Sequence, residues 1–225
     1  MSGSAAPASG GARAVRLSVS AVAHRFGARV AVRPVTFEQP GPGVVAVTGE
    51  NGSGKSTLLR VLAGMLRPSE GTTRLEVEGA DVPPRERRRH VGLACPDLEF
   101  YEEFTAAENL TFATEARGLP DARASVQNAL SKTGLAPRGD DRVGTFSSGM
   151  KQRLRLAFAI LHRPALLLLD EPGAHLDEEG RALVERLVLE HAPSGLVVLA
   201  TNDPREVQLA ANRIPLSGRG LDAPS

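Results

Sequence analysis

The N-terminal part of the chain contains two stretches in which apolar and polar residues alternate. "VRLSVSAV" starts at Val15, and "VAVRPVTFEQ" follows a turn at Gly27. Further along, "GVVAVTG", "VGLAC", "ALLLLD" and "GLVVLAT" are short runs that are almost entirely apolar. Alternation predicts strands with one exposed face, whereas uninterrupted apolar runs are typical of parallel strands that are buried on both faces.

Segments with helical spacing separate the apolar runs. "STLLRVLAGML" follows the first run, and Met150, Leu154 and Phe158 recur at helical spacing in a later segment. Residues 102–142 are also helical in pattern but more polar, which predicts an all-helical insertion. Strands that alternate with helices predict an α/β fold whose parallel sheet is covered by helices on both faces.

The composition fits a globular protein of a reducing compartment. The 225 residues are 41% hydrophobic, which is enough for a normal core, and 27 basic residues nearly balance 26 acidic ones. This balance argues against a nucleic-acid partner that is recognised through bulk charge. Cys95 is the single cysteine, so no internal disulfide is possible. The small residues of 1–14 predict a disordered tail before one domain over 15–225.

The strongest motif, "GENGSGKST", lies between a predicted buried strand and a predicted helix. Its spacing is that of a phosphate-binding loop, in which glycines let backbone N–H groups converge on an anion at a helix N-terminus. Lys55 would reach the β- and γ-phosphates, and Ser56 would offer its hydroxyl to Mg²⁺. The predicted phosphate-binding residues are Gly49, Glu50, Asn51, Gly52, Ser53, Gly54, Lys55, Ser56 and Thr57.

The second motif is "ALLLLDEP", an apolar strand that ends in two carboxylates. Ligands bind at the carboxyl ends of parallel strands, so this motif predicts a catalytic edge of the sheet. We expect Asp170 to hold Mg²⁺ and Glu171 to polarise the attacking water. Together, the two motifs predict a Mg²⁺-dependent nucleoside triphosphatase.

A third motif, "FSSGMKQR", begins a helix with more bare backbone and hydroxyl groups than a helix cap requires. With the other two motifs it resembles the ATP-binding cassette (ABC) ATPases, whose signature reads Leu-Ser-Gly-Gly-Gln. The resemblance implies that the start of this helix contacts the γ-phosphate of ATP held by another subunit, with the helix dipole behind it. The residues that match the signature after Phe146 are Ser147, Ser148, Gly149 and Met150.

The resemblance extends over nearly the whole chain from Val15. It implies a P-loop NTPase core of the RecA-like type with an antiparallel β subdomain and an inserted α-helical subdomain at about 101–150. Phe26 matches the aromatic residue that stacks on adenine, and Asp177 matches the dimer-contacting position of the D-loop. The implied cofactors are ATP and Mg²⁺.

Two positions depart from the family pattern. Where a glutamine is expected after "VGLAC", the chain has Pro96-Asp97, and where a histidine is expected before Asp203, it has Asn202. An amide can still donate a hydrogen bond to a γ-phosphate, but it cannot carry a positive charge. We therefore assign Asn202, with Glu171, to the catalytic site and expect slow turnover.

The resemblance also implies partners. No apolar run reaches the ~20 residues of a membrane span, so we expect a homodimer or heterodimer that docks on separate transmembrane permease subunits at the cytoplasmic face of the plasma membrane. The irregular loop and "SSGMKQRL" resemble the ATPase of the cytochrome c biogenesis haem exporter. Two alternatives are a slow, ATP-gated regulatory ABC ATPase and an ABC ATPase of DNA repair or translation.

Overall fold

A computed structural model describes residues 13–216 of the chain, so the predicted tail lies almost wholly outside the described residues. The strands are β1 (Val15–Phe26), β2 (Arg29–Gln39), β3 (Gly43–Thr48), β4 (Glu70–Val77), β5 (Ala80–Asp81), β6 (Val91–Ala94), β7 (Leu166–Asp170), β8 (Leu196–Ala200) and β9 (Asn212–Pro215). The α-helices are α1 (Lys55–Leu62), α2 (Ala106–Arg117), α3 (Ala122–Lys132), α4 (Ser148–Ile160), α5 (Glu178–His191) and α6 (Pro204–Gln208). Short 3₁₀ helices span Pro84–Arg89, Ala136–Arg138 and Val143–Thr145.

The strands form two sheets of different kinds. An antiparallel sheet has the order β2-β1-β4-β5, and a parallel sheet has the order β6-β7-β8-β3-β9. This arrangement confirms the predicted parallel sheet and antiparallel β subdomain. The strands β4, β5 and β9 were not predicted by the hydrophobic pattern.

Strand β7 shows why its sequence is apolar throughout. Leu166 and Leu168 pack into a core with α1 and the antiparallel sheet, whereas Leu167 and Leu169 pack on the opposite face against α5. Each of these four leucines is at most 1% exposed. Since both faces are covered, a polar residue at any of these positions would be buried without a partner.

The helical subdomain has a core of its own. Apolar side chains of α2, α3 and the first three turns of α4 pack together, among them Leu110, Leu130 and Leu154. Helix α4 therefore packs in this core and also against the parallel sheet. The expected boundary of the helical subdomain, at about residue 150, falls inside this helix. Within residues 13–216, no helix is both long and apolar enough to cross a membrane.

Candidate functional site

Strand register places three functional loops at one edge of the parallel sheet. Val47 of β3 lies opposite Ala200 of β8, and Ala200 lies opposite Asp170 of β7. The glycine-rich loop leaves just after Val47, and Asn202 follows two residues after Ala200. Because all three strands run in the same direction, their carboxyl ends meet here.

Glycines give the phosphate-binding loop its narrow backbone path. Gly49 has φ 149° and Gly54 has φ 98°, values that L residues with side chains rarely adopt. A Cβ on Gly54 would lie 2.1 Å from the Ala31 carbonyl oxygen, and one on Gly49 would lie 2.6 Å from that of Leu216. Any side chain at these two positions would displace the backbone.

Lys55 and Ser53 place polar groups inside this loop. Lys55 is only 5% exposed, and its Nζ donates to the carbonyl oxygens of Gly49 (2.6 Å) and Glu50 (3.3 Å). Ser53 is 4% exposed, and its buried Oγ has no hydrogen-bond partner among the described residues. Helix α1 begins at Gly54 without a side-chain cap, so its first N–H groups remain available to an anion.

The predicted metal ligands meet at the end of β7. Asp170 is 2% exposed and accepts a hydrogen bond from the Ser56 hydroxyl. Burial raises the pKa of Asp170, while the hydrogen bond from Ser56 and the charges of Arg60 and Lys55 oppose that rise. Glu171 follows with an exposed side chain and a backbone φ of 48°, which is unusual for a residue other than glycine.

Asn202 contacts the loop directly, and Phe26 lies on the hairpin whose second strand contacts it. The Oδ1 atom of Asn202 accepts a hydrogen bond from the Gly49 N–H at 3.2 Å, which leaves the Nδ2 group as a donor. Phe26, at the end of β1, is 51% exposed. Strand β2 then runs back, and the carbonyl oxygen of its Ala31 lies close to Gly54. The β1–β2 hairpin therefore contacts the phosphate loop through Ala31 and carries an exposed aromatic ring next to its turn.

The departure at Pro96-Asp97 has a partner on α1. Arg60 lies one helical turn after Ser56 and forms an ion pair with Asp97. The Asp97 carboxylate is thus held by a guanidinium group beside the predicted metal ligands. Cys95 lies in the same region, and burial raises the pKa of its thiol.

The signature residues lie around a pocket of their own. Ser147 caps α4, because its Oγ accepts a hydrogen bond from the Met150 N–H at 3.2 Å. The open pocket beside this helix end has a volume of about 430 Å³. It is lined by Gly134, Leu135, Arg138, Ser147, Ser148, Gly149, Met150, Arg153, His175, Leu176 and Asp177. No phosphate-loop residue contributes to it.

The D-loop residue Asp177 has a structural role within its own protomer. Its Oδ1 accepts a hydrogen bond from the Gly180 N–H at 2.8 Å and so caps α5. The same oxygen lies 3.5 Å from the Arg153 guanidinium of the signature helix. The carboxylate remains largely exposed and also faces the signature pocket.

Two buried polar residues near Glu171 were missed by the sequence analysis. Gln152 of α4 donates from Nε2 to the Pro172 carbonyl oxygen at 3.0 Å, and Glu206 of α6 accepts from the Gly173 N–H at 2.9 Å. Gln152 shares an α4 face with Leu156 and Ala159. A polar residue in an apolar row of a helix indicates a buried polar side chain, so the sequence pattern could have identified Gln152. Glu206 carried no comparable signal.

The residues present fit a triphosphate and a divalent cation. A glycine cradle that excludes Cβ atoms, an orphaned buried Ser53 hydroxyl and a buried lysine suit phosphate oxygens. The Ser56 hydroxyl and the Asp170 carboxylate are hard oxygen donors of the kind that Mg²⁺ prefers. The fold and this site define a P-loop nucleoside triphosphatase.

Comparison with known proteins gives the family. The sequence model of the family described as "ABC transporter" matches residues 32–174, and the chain belongs to that family. The chain is 37% identical to the aliphatic sulfonates import ATP-binding protein SsuB 2 of Pseudomonas aeruginosa, over 94% of this chain and 76% of that protein. It is 34% identical to the uncharacterized ABC transporter ATP-binding protein YxlF of Bacillus subtilis, over 91% and 68%.

The same fold occurs in solved ABC structures. The dimeric post-hydrolysis state of the ATP-binding cassette MJ0796, bound to ADP and Pi, superimposes with a TM-score of 0.75 at 20% identity, covering 91% of this chain and 97% of that one. The predicted family and P-loop ATPase fold are therefore confirmed, and the chain is an ATPase of a family that hydrolyses ATP to drive transport. The relatives described above give no support to the haem exporter hypothesis.

Proposed function

We propose that this chain is the ATP-hydrolysing subunit of a membrane import complex, and that two such subunits close face to face over Mg²⁺-ATP. One observation carries the proposal. The phosphate loop and the signature pocket share no lining residue, although the family resemblance requires both to contact one ATP. A second protomer supplies the missing half of each site.

Within one protomer, the loop amides and Lys55 would bind the phosphates, and Phe26 would stack on the adenine ring. Ser56 and Asp170 would hold Mg²⁺, which when bound neutralises charge on the phosphate oxygens. The exposed Glu171 carboxylate would accept a proton from the attacking water. Asn202 would donate its Nδ2 hydrogen bond to the γ-phosphate.

From the second protomer, the start of α4 would face the γ-phosphate. The Gly149 N–H and the Ser147 hydroxyl are donors at a helix end that carries a partial positive charge. Arg138 and Arg153 also line this pocket, but Asp141 pairs with Arg138, and Asp177 and Glu179 pair with Arg153, so the two helix-end donors are the main groups for an anion. These groups favour a phosphate, and they are the reason for proposing that the dimer closes on ATP.

An aromatic patch on the helical subdomain supports docking on a permease. Tyr101, Phe104 and Phe112 are 54%, 42% and 55% exposed, and the Tyr101 ring lies 5.4 Å from that of Phe104 and 6.1 Å from that of Phe112. Exposed apolar clusters of this kind mark interaction sites. We propose that a cytoplasmic helix of a transmembrane subunit covers the patch, since the relatives are named as ATP-binding proteins of transporters.

Glu102 and Glu103 lie between Tyr101 and Phe104 in the chain; Glu102 pairs with Lys151 at 2.6 Å, so the exposed Glu103 is the residue that favours a helix with basic residues. We place the subunit at the cytoplasmic face of the membrane, where ATP is supplied. The name of the SsuB relative favours import of a sulfonate or a similar oxoanion, and we propose this solute class in place of haem export.

Two experiments test the function. Glu171→Gln keeps the shape of the side chain but removes the base, so ATP should trap a dimer that light scattering detects after size-exclusion chromatography. Lys55→Ala is the matched control and should stay monomeric with ATP. Hydrolysis by Glu171→Gln at the parental rate would refute the assigned base.

The second experiment tests the sharing of sites between protomers. Lys55→Ala and Ser147→Ala should each be nearly inactive alone. In a mixed dimer, the phosphate loop of the Ser147→Ala protomer meets the signature of the Lys55→Ala protomer, so one site is intact. Mixing should therefore restore ATPase activity, and failure of every mixing ratio to restore it would refute a site built from two protomers.

A further inference from the structure

The peptide unit between Pro172 and Gly173 is held at both of its edges. The Pro172 carbonyl oxygen accepts a hydrogen bond from Gln152 Nε2 at 3.0 Å, and the Gly173 N–H donates to Glu206 Oε1 at 2.9 Å. The C=O and N–H groups of a trans peptide lie in one plane and point in opposite directions. Two side chains from different helices therefore grip the same rigid unit and prevent it from rotating.

This peptide unit lies one residue beyond Glu171, on the far side of Pro172. The backbone of Glu171 has φ 48°, in the left-handed region that residues with a side chain rarely occupy. Such a conformation persists only where its surroundings over-determine it. On the N-terminal side, the Glu171 N–H donates to the Ala200 carbonyl oxygen at 2.8 Å. On the C-terminal side, Gln152 Nε2 lies 3.5 Å from the Glu171 carbonyl oxygen, and the grip on the 172–173 peptide holds the chain one residue further on.

Both gripping side chains are buried and fully engaged. Gln152 is 4% exposed, and its Oε1 accepts a hydrogen bond from Arg155 at 3.3 Å. Because a guanidinium only donates, this contact also fixes which end of the Gln152 amide faces Pro172. Arg155 donates in turn to the Leu98 carbonyl oxygen at 2.9 Å, just after Asp97.

Glu206 is 8% exposed and also accepts a hydrogen bond from the Thr201 hydroxyl, next to Asn202. Burial raises the pKa of Glu206, and both hydrogen bonds oppose the rise. A Cβ on Gly173 would lie 2.6 Å from Glu206 Oε1, so the glycine permits the close approach. Burying a carboxylate to this extent is unfavourable unless it accepts hydrogen bonds.

We propose that Gln152 and Glu206 are positioning residues that hold the Glu171 carboxylate in its hydrolytic direction by clamping the 172–173 peptide. The proposal rests on the proposed function in taking Glu171 as the base. Gln152 belongs to the helix that starts at the signature residues, and Glu206 belongs to the helix that follows Asn202. The clamp therefore ties the base to two elements that contact the γ-phosphate in the proposed dimer.

The test compares Gln152→Leu and Glu206→Leu with the conservative Glu206→Gln and with Gln208→Ala, an exposed control on the same helix. Misplacing a catalytic group by about 1 Å costs about 10²-fold in rate. We expect kcat to fall ~10- to 100-fold in both leucine variants, with KM and ATP affinity within about twofold of the parental values. Glu206→Gln keeps an acceptor oxygen for Gly173 and should recover most of kcat.

A second readout does not need catalysis. In the full chain without nucleotide, the Gly173 amide should exchange slowly with deuterium. Exchange of this amide should be faster in Glu206→Leu, which has the lower kcat, than in Glu206→Gln. Parental kcat in both leucine variants, or fast Gly173 exchange in the parental chain, would overturn the clamp. If a leucine variant does not fold, the kcat of Glu206→Gln and the rate of Gly173 amide exchange in the parental chain still test the clamp.

Glu171→Gln, measured in parallel, separates the two proposals. Parental activity in that variant would refute Glu171 as the base, which is the part of the proposed function on which the clamp rests. Loss of activity in Glu171→Gln together with parental kcat in the clamp variants would refute the clamp alone.

Discussion

The side-chain oxygen of Asn202 accepts a hydrogen bond from the backbone N–H of Gly49 at 3.2 Å. This contact joins the loop after β8 to the first residue of the phosphate loop. It also orients the amide, since a backbone N–H can be paired only with the oxygen end. The Nδ2 group is left as a neutral donor at the position where the family resemblance implies a histidine.

Replacing Asn202 should change kcat more than KM. Asn202→Ala removes the donor and should lower kcat, while Asn202→His supplies a group that can carry positive charge and should raise it. Removing one hydrogen-bond donor to a charge that develops in the transition state typically lowers kcat by ~10²–10³-fold. Steady-state ATPase assays of the three proteins make the comparison, and equal rates would show that position 202 is idle. A large gain in Asn202→His would favour the slow, regulated alternative.

Arg60 should weaken Mg²⁺ binding, and the carboxylate of Asp97 with which it pairs should strengthen it. Arg60 is a fixed cation near Asp170 and competes electrostatically with Mg²⁺. Arg60→Gln should therefore tighten Mg²⁺ in the ATP complex about 3- to 10-fold, and Asp97→Asn should weaken it, by Coulomb arguments at an effective dielectric constant of about 20. Mg²⁺ titration of ATP binding measures both.

The double variant is the control for this pair. Arg60→Gln with Asp97→Asn removes one charge of each sign, so Mg²⁺ affinity should return to within about twofold of the parental value. If each single variant leaves Mg²⁺ affinity unchanged, the ion pair has no electrostatic effect on the metal site.

The meeting of the three loops of the candidate site at one sheet edge could be predicted because it depends on strand direction alone. The apolar runs before Gly49, Glu171 and Asn202 read as buried parallel strands, and parallel strands end at the same sheet edge. Register pairs between β3, β8 and β7 then place the three loops side by side. Nothing beyond local sequence was needed for that inference.

Tertiary contacts explain what the sequence did not reveal. Glu206 and Gly173 are 33 residues apart, and Gln152 and Pro172 are 20 apart, so no local pattern links them. Strand β4, "EGTTRLEV", has only Leu75 and Val77 buried, and this is too little alternation to identify it. Arg87 lies within "PRERRR", a run that resembles a solvated surface, although the side chain is buried.

Arg87 should contribute strongly to stability. It is 1% exposed and donates to the carbonyl oxygen of Leu62 at the end of α1 and to both Thr73 Oγ1 and the Thr73 carbonyl oxygen in β4. Arg87→Met leaves these buried acceptors unpaired, which costs about 2–4 kcal/mol in the free energy of unfolding. Urea denaturation measures the loss. Arg85→Met, at a highly exposed neighbour, is the control and should change stability by less than about 0.5 kcal/mol.

Two histidines should make the protein less stable in mild acid. Burial lowers the pKa of His162 to about 4, with the charge of Arg117 adding to the effect, and burial likewise lowers the pKa of His191 to about 4. In the unfolded chain each imidazole titrates near its ordinary pKa of about 6.5. Between these values the unfolded state binds more protons, so the free energy of unfolding falls as pH falls from about 6.5 to about 4.

The size of this effect follows from proton linkage. Each histidine should lower the free energy of unfolding by about 2 kcal/mol between pH 7 and pH 5. The buried carboxyls of Asp170 and Glu206 act in the opposite direction, because burial raises their pKa values and the folded state then takes up protons more readily than the unfolded state.

Substitution isolates the histidine contribution from that of the carboxyls. His162→Gln and His191→Gln should each flatten the pH dependence of urea unfolding between pH 7 and pH 5, and the double variant should flatten it by the sum, since the two rings are in no shared hydrogen bond. A parental slope in the double variant would mean that both rings take up protons in the folded state as readily as in the unfolded chain.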